Sequence, residues 1–166
     1  IKPSSKSKML NMVIGQEMLV TPIQVIQMIN IIANDGTLVK PHFNKNLQPE
    51  GISLDLNKNT INFIQDAMES VVISGTGANS RVEDSNVIIR AKTGTAQLKR
   101  KTQKEEDEKN SHAWYAGYME YDGNQKVSIV IMLERGGSGG AAPSLMARNI
   151  FNKIININKQ RLNEES

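Results

Sequence analysis

The chain has 166 residues, of which 39% are hydrophobic and 22% charged, and its formal net charge is +3 at pH 7. This length and composition predict about one globular domain with a packed core and argue against bulk disorder. The small net charge and the 4% aromatic content do not favour nucleic-acid binding, and the absence of cysteine excludes disulfides, thiolate metal sites and a cysteine nucleophile.

The first eight residues are polar and basic and contain a proline, which predicts a linker or a surface loop. Ser5 and Lys8 have the Ser-x-x-Lys spacing of a serine nucleophile and its lysine base. Such a serine is expected to start a buried apolar helix, but here its neighbours are polar and basic, so the context favours a solvated loop. The chain begins at Ile1 without a signal-type segment, so we expect it to be the C-terminal part of a longer protein.

Two helices are predicted in the first half of the chain. Thr21, Pro22 and Gln24 have the pattern of a capping box, and apolar residues recur from Ile23 to Ala33 around most of the helix, which predicts a buried core helix. A broken extended piece, 38–47, follows it. The second helix is predicted over 57–73, and the glycines of 75–77 after it indicate a C-cap and turn rather than a phosphate loop.

The stretch 91–97 follows the apolar run 87–89, so it is predicted to be the exit of a β-strand. Lys92, Thr93 and Gly94 there place an ammonium, a hydroxyl and a bare backbone on one short edge. These groups can hold a carboxylate and let a substrate lie close to the strand.

The segment 98–110 has nearly balanced charges and no apolar anchor, which predicts a mobile solvated loop that could act as a lid over the neighbouring strand. A hairpin is predicted from 113–121 and 126–133, joined across Asp122-Gly123-Asn124. The glycines of 136–140 indicate a turn with little steric demand. With two histidines and no cysteine, a zinc site is disfavoured, and we predict neither a metal nor a cofactor.

The last predicted helix starts at Pro143, and the tail 159–166 is predicted to be polar and frayed. The apolar stripe of this helix is predicted to contain Met146, Ala147, Ile150, Phe151, Ile154 and Ile157. The order of the elements, with helices, then three antiparallel strands, then a helix, predicts the α+β class.

Seven motifs occur together in one order, and jointly they resemble the C-terminal part of the transpeptidase domain of a class B penicillin-binding protein. The long segment after Gln97, with His112-Ala113-Trp114 behind it, most resembles penicillin-binding protein 2, the elongation enzyme. The resemblance covers nearly all of 9–157, so we expect a portion of a transpeptidase domain over 1–158. The motifs are Gly15-Gln16, Thr21-Pro22-Ile23-Gln24, Ala33-Asn34-Asp35-Gly36, Gly75-Thr76-Gly77, Lys92-Thr93-Gly94-Thr95-Ala96-Gln97, Gly117-Tyr118 and the run from Gly136 to Pro143.

The resemblance implies the penicillin-binding protein and serine β-lactamase-like fold, and D,D-transpeptidation through a serine acyl-enzyme. It implies that Lys92 supplies charge beside the substrate carboxylate and helps to move a proton. It further implies that Thr93 and Thr95 donate hydroxyl hydrogen bonds to that carboxylate, and that Gly94 lets the substrate run along the strand. The amide of Thr95 would be one of two oxyanion donors.

The family's serine-nucleophile motif and its Ser-x-Asn motif are expected before Ile1, so this chain alone is expected to be inactive. The implied partners are peptidoglycan stem peptides, β-lactams and a membrane glycosyltransferase of the elongation machinery. The implied location is the periplasmic face of the bacterial inner membrane, with an anchor outside this chain.

Two alternatives remain open. One is a serine β-lactamase of the same fold, against which the segment after Gln97 and the helix at Thr21 argue. The other is a β-lactam sensor domain or a truncated product that only binds. The residues upstream of Ile1 would separate these readings. As a part of a larger domain, the chain is also expected to expose a contiguous apolar patch centred on the 23–33 helix and the outer edge of the sheet.

Overall fold

The structure is a computed structural model that describes residue 15 and residues 18–97, 111–122 and 125–164. The Ser5–Lys8 motif and the charged segment 98–110 lie outside the described residues. The predicted order of helices and antiparallel strands, and with it the α+β class, is confirmed. The elements are α1 (Pro22–Ala33), β1 (Thr37–Val39), β2 (Gly51–Ser53), α2 (Lys58–Ile73), a 3-10 turn (Ala78–Ser80), β3 (Val87–Gln97), β4 (Ser111–Tyr121), β5 (Gln125–Leu133) and α3 (Ala142–Glu164).

Helix α1 begins with the predicted capping box. The amide of Gln24 donates to Thr21 Oγ1 at 3.3 Å, and the amide of Thr21 donates to Gln24 Oε1 at 2.8 Å. The helix is buried on one side only, because Ile23 is 52% exposed and Met28 53% exposed. The prediction of a helix buried on most sides is therefore wrong for these residues. Apolar side chains on this helix are exposed to solvent. That they form one contiguous exposed patch stays a prediction.

Strands β1 and β2 form a small antiparallel sheet where a broken extended piece was predicted. Thr37 pairs with Ser53, and Val39 pairs with Gly51. Every residue of β2 is exposed, including Ile52 at 63%. This pairing buries little apolar surface. The two strands therefore lack the alternation of apolar and polar residues from which a strand is predicted.

The larger sheet has the order β3-β4-β5 and is entirely antiparallel. Helix α3 packs against one face, and α1 packs against the other. Helix α2 lies beside β3 and contributes Val72 to the first core and Met68 to the second. The first core also contains Ile89, Ala91, Tyr115, Met119, Ile131, Ala147, Phe151 and Ile155, and the second contains Ile29, Ala33, Ala116 and Tyr118.

The stretch 91–97 forms the C-terminal part of β3, as predicted. Strand β3 stays paired with β4 as far as Gln97, which lies opposite Ser111. The ladder of backbone hydrogen bonds continues through the polar residues of this stretch, because pairing depends on backbone groups and not on the side chains. Lys92 and its neighbours are therefore held by pairing with β4 along one edge, and among the described residues no strand pairs with the other edge.

Helix α3 buries only part of the predicted stripe, since Ala147 and Phe151 lie in the first core and Ile154 packs against it. Ala147, Phe151 and Ile155 are buried, whereas Met146, Ile150 and Ile157 are 37–42% exposed. Residues four apart define the face that contacts the sheet, and this face is rotated from the predicted one. The helix also continues to Glu164, so residues 159–164 of the predicted polar tail are helical.

We expect Phe151→Ala to lower the free energy of unfolding by about 3–5 kcal/mol, because it removes a fully buried ring from the centre of the first core. Urea denaturation followed by circular dichroism measures the change. The neighbouring Ile150, 40% exposed, provides the control, and Ile150→Ala is expected to cost under about 1 kcal/mol. Equal losses for the two variants would mean that α3 docks on a different face.

Candidate active site

The candidate site lies on β3, which is an edge strand of the three-stranded sheet among the described residues. Side chains alternate between the two faces of a strand, so Thr93 and Thr95 share one face and Lys92 and Gly94 the other. Lys92 crosses back towards the strand edge, because its Nζ donates to the carbonyl oxygen of Thr93 at 2.6 Å. The ammonium of Lys92 therefore lies at the edge of β3, and its joint action with the threonine hydroxyls stays a prediction.

Charge at this part of β3 is uneven. Arg90, two residues before Lys92, is compensated by Glu69 at 3.0 Å and Glu120 at 3.3 Å. In the part of the chain that the structure describes, no carboxylate lies within ion-pair distance of Lys92. Lys92 is also exposed. Its charge is thus available to an anion, whereas that of Arg90 is already neutralised within the fold.

The two threonines of the motif have different surroundings. Thr93 is 8% exposed, and its Oγ1 lies 2.6 Å from Oγ1 of Thr76. Thr95, on the same face, is exposed to solvent. One hydroxyl is therefore fixed in direction by a partner, while the other is free to turn towards a ligand.

Thr76 belongs to the turn that follows α2. The amides of Gly75 and Gly77 both donate to the carbonyl of Val71, at 3.1 and 3.0 Å. This confirms the predicted C-cap and turn. The contact between Thr76 and Thr93 was not predicted, because a pair of residues 17 positions apart has no local sequence signal. The sequence does show a threonine between two glycines. Because the turn itself needs no side chain there, this threonine is a hint that its hydroxyl has a partner elsewhere in the fold.

The glycine segment 136–140 is tightly packed and does not form the undemanding turn that was predicted. A Cβ at Gly139 would lie 2.2 Å from the carbonyl oxygen of Trp114 and 2.5 Å from that of Gly94. Gly139 is held there by Ser144, whose Oγ donates to its carbonyl at 2.9 Å. The segment therefore supports β3 directly at the candidate site, and only glycine fits at position 139.

Next to Thr93 in the sheet lies a buried, uncharged tyrosine. Tyr115 pairs with Thr93 across the ladder and is fully buried. Burial raises the pKa of Tyr115 to about 12, although Ser80 beside it acts in the opposite direction. The phenol is therefore neutral at physiological pH, and it does not repel an anion that approaches the edge of β3.

The arrangement is suited to hold a carboxylate by charge and by hydroxyl hydrogen bonds. Within the described ranges, no cluster of three histidine, cysteine, aspartate or glutamate side chains could hold a metal ion. None of the helices in these ranges is both long and apolar enough to cross a bilayer. The site thus offers electrostatic and hydrogen-bonding chemistry from Lys92, Thr93 and Thr95.

Comparison with known proteins identifies the family of the chain. Residues 1–156 match the family described as the penicillin binding protein transpeptidase domain. The peptidoglycan D,D-transpeptidase MrdA of Haemophilus influenzae is 29% identical over 157 positions, which cover 82% of this chain and 24% of that protein. The chain thus spans about a quarter of the length of this curated relative.

Two solved structures have the same fold. Penicillin-binding protein 3 of Mycobacterium tuberculosis, solved with aztreonam, has a TM-score of 0.71 at 23% identity, over 96% of this chain and 40% of that one. The transpeptidase domain of the FtsI4 D,D-transpeptidase of Legionella pneumophila has a TM-score of 0.69 at 20% identity, over 93% of this chain and 55% of that one. With nearly the whole sequence matching one family and the sheet and helices superposing on its solved members, this chain belongs to the penicillin-binding protein transpeptidase family.

Proposed function

We propose that this chain is the substrate-binding part of a serine-type D,D-transpeptidase that cross-links peptidoglycan stem peptides during cell-wall elongation. The observation that carries the proposal is the exposed, uncompensated ammonium of Lys92 beside two threonine hydroxyls on an edge strand. The terminal carboxylate of a D-Ala-D-Ala stem peptide, or the carboxylate of a β-lactam, is an anion of the size that this edge can bind.

In the proposed reaction, a serine attacks the amide between the two D-alanines and forms an ester with the penultimate residue. D-Alanine leaves with the proton that the leaving nitrogen requires. An amine of a neighbouring stem peptide then attacks the ester and restores the serine. The role of Lys92 is to bind the terminal carboxylate and to assist proton transfer, and the roles of Thr93 and Thr95 are to fix the orientation of that carboxylate.

The backbone of β3 can also stabilise the tetrahedral oxyanion. The carbonyl of Thr93 accepts from the side chain of Lys92, which indicates that the backbone groups of Thr93 point away from β4. In an antiparallel ladder this direction repeats every second residue. The amide of Thr95 is therefore placed to point outwards too, and we assign it as one oxyanion donor. One such donor contributes about 10²–10³ in rate.

Gly94 fits a role in substrate approach. A Cβ at this position would meet Trp114 Cβ at 3.4 Å, which is ordinary van der Waals contact. The described residues therefore do not require glycine at position 94, in contrast to position 139. We propose that a substrate backbone lies along β3 as an added strand, and that its close approach is the reason for a glycine at position 94.

We propose that this chain is part of a longer protein, called the longer protein below. The remaining catalytic groups belong to its other residues. It would supply the serine nucleophile and the Ser-x-Asn motif, together with an anchor that holds the domain at the periplasmic face of the inner membrane. A membrane glycosyltransferase of the elongation machinery is the proposed protein partner.

Labelling with a fluorescent penicillin tests the proposal. The longer protein is expected to form a covalent adduct at a serine outside this chain, and to join stem peptides into cross-linked dimers. This chain alone is expected to remain unlabelled, because a nucleophile and its supporting groups act as a unit.

Denaturing electrophoresis separates the outcomes. A labelled band at 18.4 kDa from this chain alone would contradict the proposed division of the site and would assign the nucleophile to Ser5. Labelling of the longer protein without cross-linking would favour a β-lactam sensor, and rapid loss of the label by hydrolysis would favour a β-lactamase.

A further inference from the structure

The hydroxyl groups of Thr76 and Thr93 form a contact that the carboxylate-binding role of the strand does not by itself require. Their Oγ1 atoms are 2.6 Å apart, and either atom can be the donor. Thr93 is buried at 8% exposure, so its hydroxyl has few alternative partners. The contact joins the turn after α2 to the centre of β3, across 17 residues of sequence.

The direction of this hydrogen bond decides what Thr93 can do. A hydroxyl has one proton to donate and can accept through two lone pairs. When Thr76 donates to Thr93, the proton of Thr93 is free to point towards a bound carboxylate. In the opposite arrangement that proton is used up on Thr76. An anion at the edge of β3 favours the first arrangement, because each donor in the chain then points towards the negative charge.

The position of Thr76 is fixed by contacts on both sides. Its carbonyl oxygen would lie 2.5 Å from a Cβ built on Gly140, so the glycine segment lies directly against it. Asn79 Nδ2 donates to the carbonyl of Gly140 at 2.8 Å, and Ser80 Oγ donates to the carbonyl of Gly77 at 2.7 Å. Thr76 is thus held on a turn that is tied to both α2 and the glycine segment, and it cannot easily follow a moving Thr93.

We propose that Thr76 is a positioning residue for carboxylate recognition, which sets the rotamer of Thr93 and leaves the proton of Thr93 for the substrate. The proposal rests on the proposed transpeptidase function. It goes beyond it by placing a group outside the Lys92–Thr95 motif in the recognition of the ligand. Thr76 itself does not touch the substrate in this account.

The test compares Thr76→Val, which keeps the shape and removes the hydroxyl, with Thr76→Ser, which keeps the hydroxyl. The longer protein carries each variant, and the second-order rate constant of acylation by a penicillin is measured. We expect about a tenfold loss for T76V and less than a threefold loss for T76S, as for a single hydrogen bond that acts on a charged ligand. Thr60 is exposed in the first turn of α2, the helix that precedes the turn of Thr76, and T60V is the matched control, expected to be unchanged.

A double-mutant cycle with Thr93→Val distinguishes positioning from general damage. If Thr76 acts through Thr93, adding T76V to T93V causes no further loss. Losses that multiply would overturn the proposal, and so would equal losses for T76V and T76S. The melting temperature of every variant is recorded. If T76V is unfolded, Thr76→Ala and T76S are compared below the melting temperature of the less stable variant. Thr76→Ala is then expected to lose about tenfold in acylation rate and T76S less than threefold.

Lys92→Ala in the same assay separates this proposal from the function on which it rests. An unchanged rate for T76V together with a large loss for K92A would reject the role of Thr76 and keep the proposed function. Unchanged rates for both variants would reject the proposed function itself.

Discussion

Replacing Lys92 with alanine in the longer protein is expected to lower the second-order rate constant of penicillin acylation by about 10²-fold or more. The substitution removes the exposed cation that has no carboxylate partner among the described residues, and with it the charge-assisted contact to the ligand carboxylate. Stopped-flow mixing with a fluorescent penicillin gives the rate constant. The fold is expected to stay intact, because Lys92 contributes no buried packing.

Two further variants serve as controls for this result. Lys153 is exposed on α3 and outside the candidate site, and Lys153→Ala is expected to acylate at the original rate. Lys92→Arg keeps the charge but changes the donor geometry, so an intermediate rate is expected. If K92A and K153A acylate equally fast, Lys92 is only a strand residue.

Replacing Gly139 with alanine is expected to damage both stability and acylation. The added Cβ would lie 2.2 Å from the carbonyl oxygen of Trp114 and 2.9 Å from the amide nitrogen of Gly94. These are backbone atoms of two paired strands, so relief requires β3 to shift at the motif. We expect a loss of about 3 kcal/mol in the free energy of unfolding, at the upper end of overpacking effects.

The acylation rate of Gly139→Ala is expected to fall more than tenfold even in the folded fraction, because the displaced strand carries the proposed oxyanion donor. Ser138→Ala in the same segment adds no atoms and removes only an exposed hydroxyl that accepts from the amide of Gly140 at 3.4 Å, so it is expected to cost under about 1 kcal/mol and to acylate near the original rate. Denaturation curves and acylation rates are measured on the same preparations. A stable G139A variant with a normal rate would show that the glycine segment does not hold β3 in place.

Local patterns were sufficient to predict most of the elements. The capping box at Thr21 and the hairpin signal at Asp122 depend on neighbouring residues, and both predicted the local structure correctly as far as it is described. The small β1-β2 sheet was missed because it buries almost nothing. The buried face of α3 was predicted only in part, because three of the apolar residues assigned to it lie on the exposed side of the helix.

The candidate site was predictable only in part, for a physical reason. Lys92, Thr93, Gly94 and Thr95 are consecutive, so a short motif identifies them. Thr76 and Gly139 reach the same place through the tertiary fold, and their contributions are one hydrogen bond and the absence of a side chain. Both lie in glycine-containing motifs of the sequence, but those motifs do not show that either residue contacts β3.

The assignment of β3 as the substrate-binding strand can be tested with a crystal structure of the longer protein acylated by a penicillin. We expect the ligand carboxylate to lie within hydrogen-bonding distance, about 3 Å, of the hydroxyls of Thr93 and Thr95 and close to the Lys92 ammonium. We also expect the acyl oxygen to accept from the amide of Thr95. A ligand bound with its carboxylate away from β3, or an acyl oxygen that contacts no atom of this strand, would contradict the assignment of β3 as the substrate-binding strand.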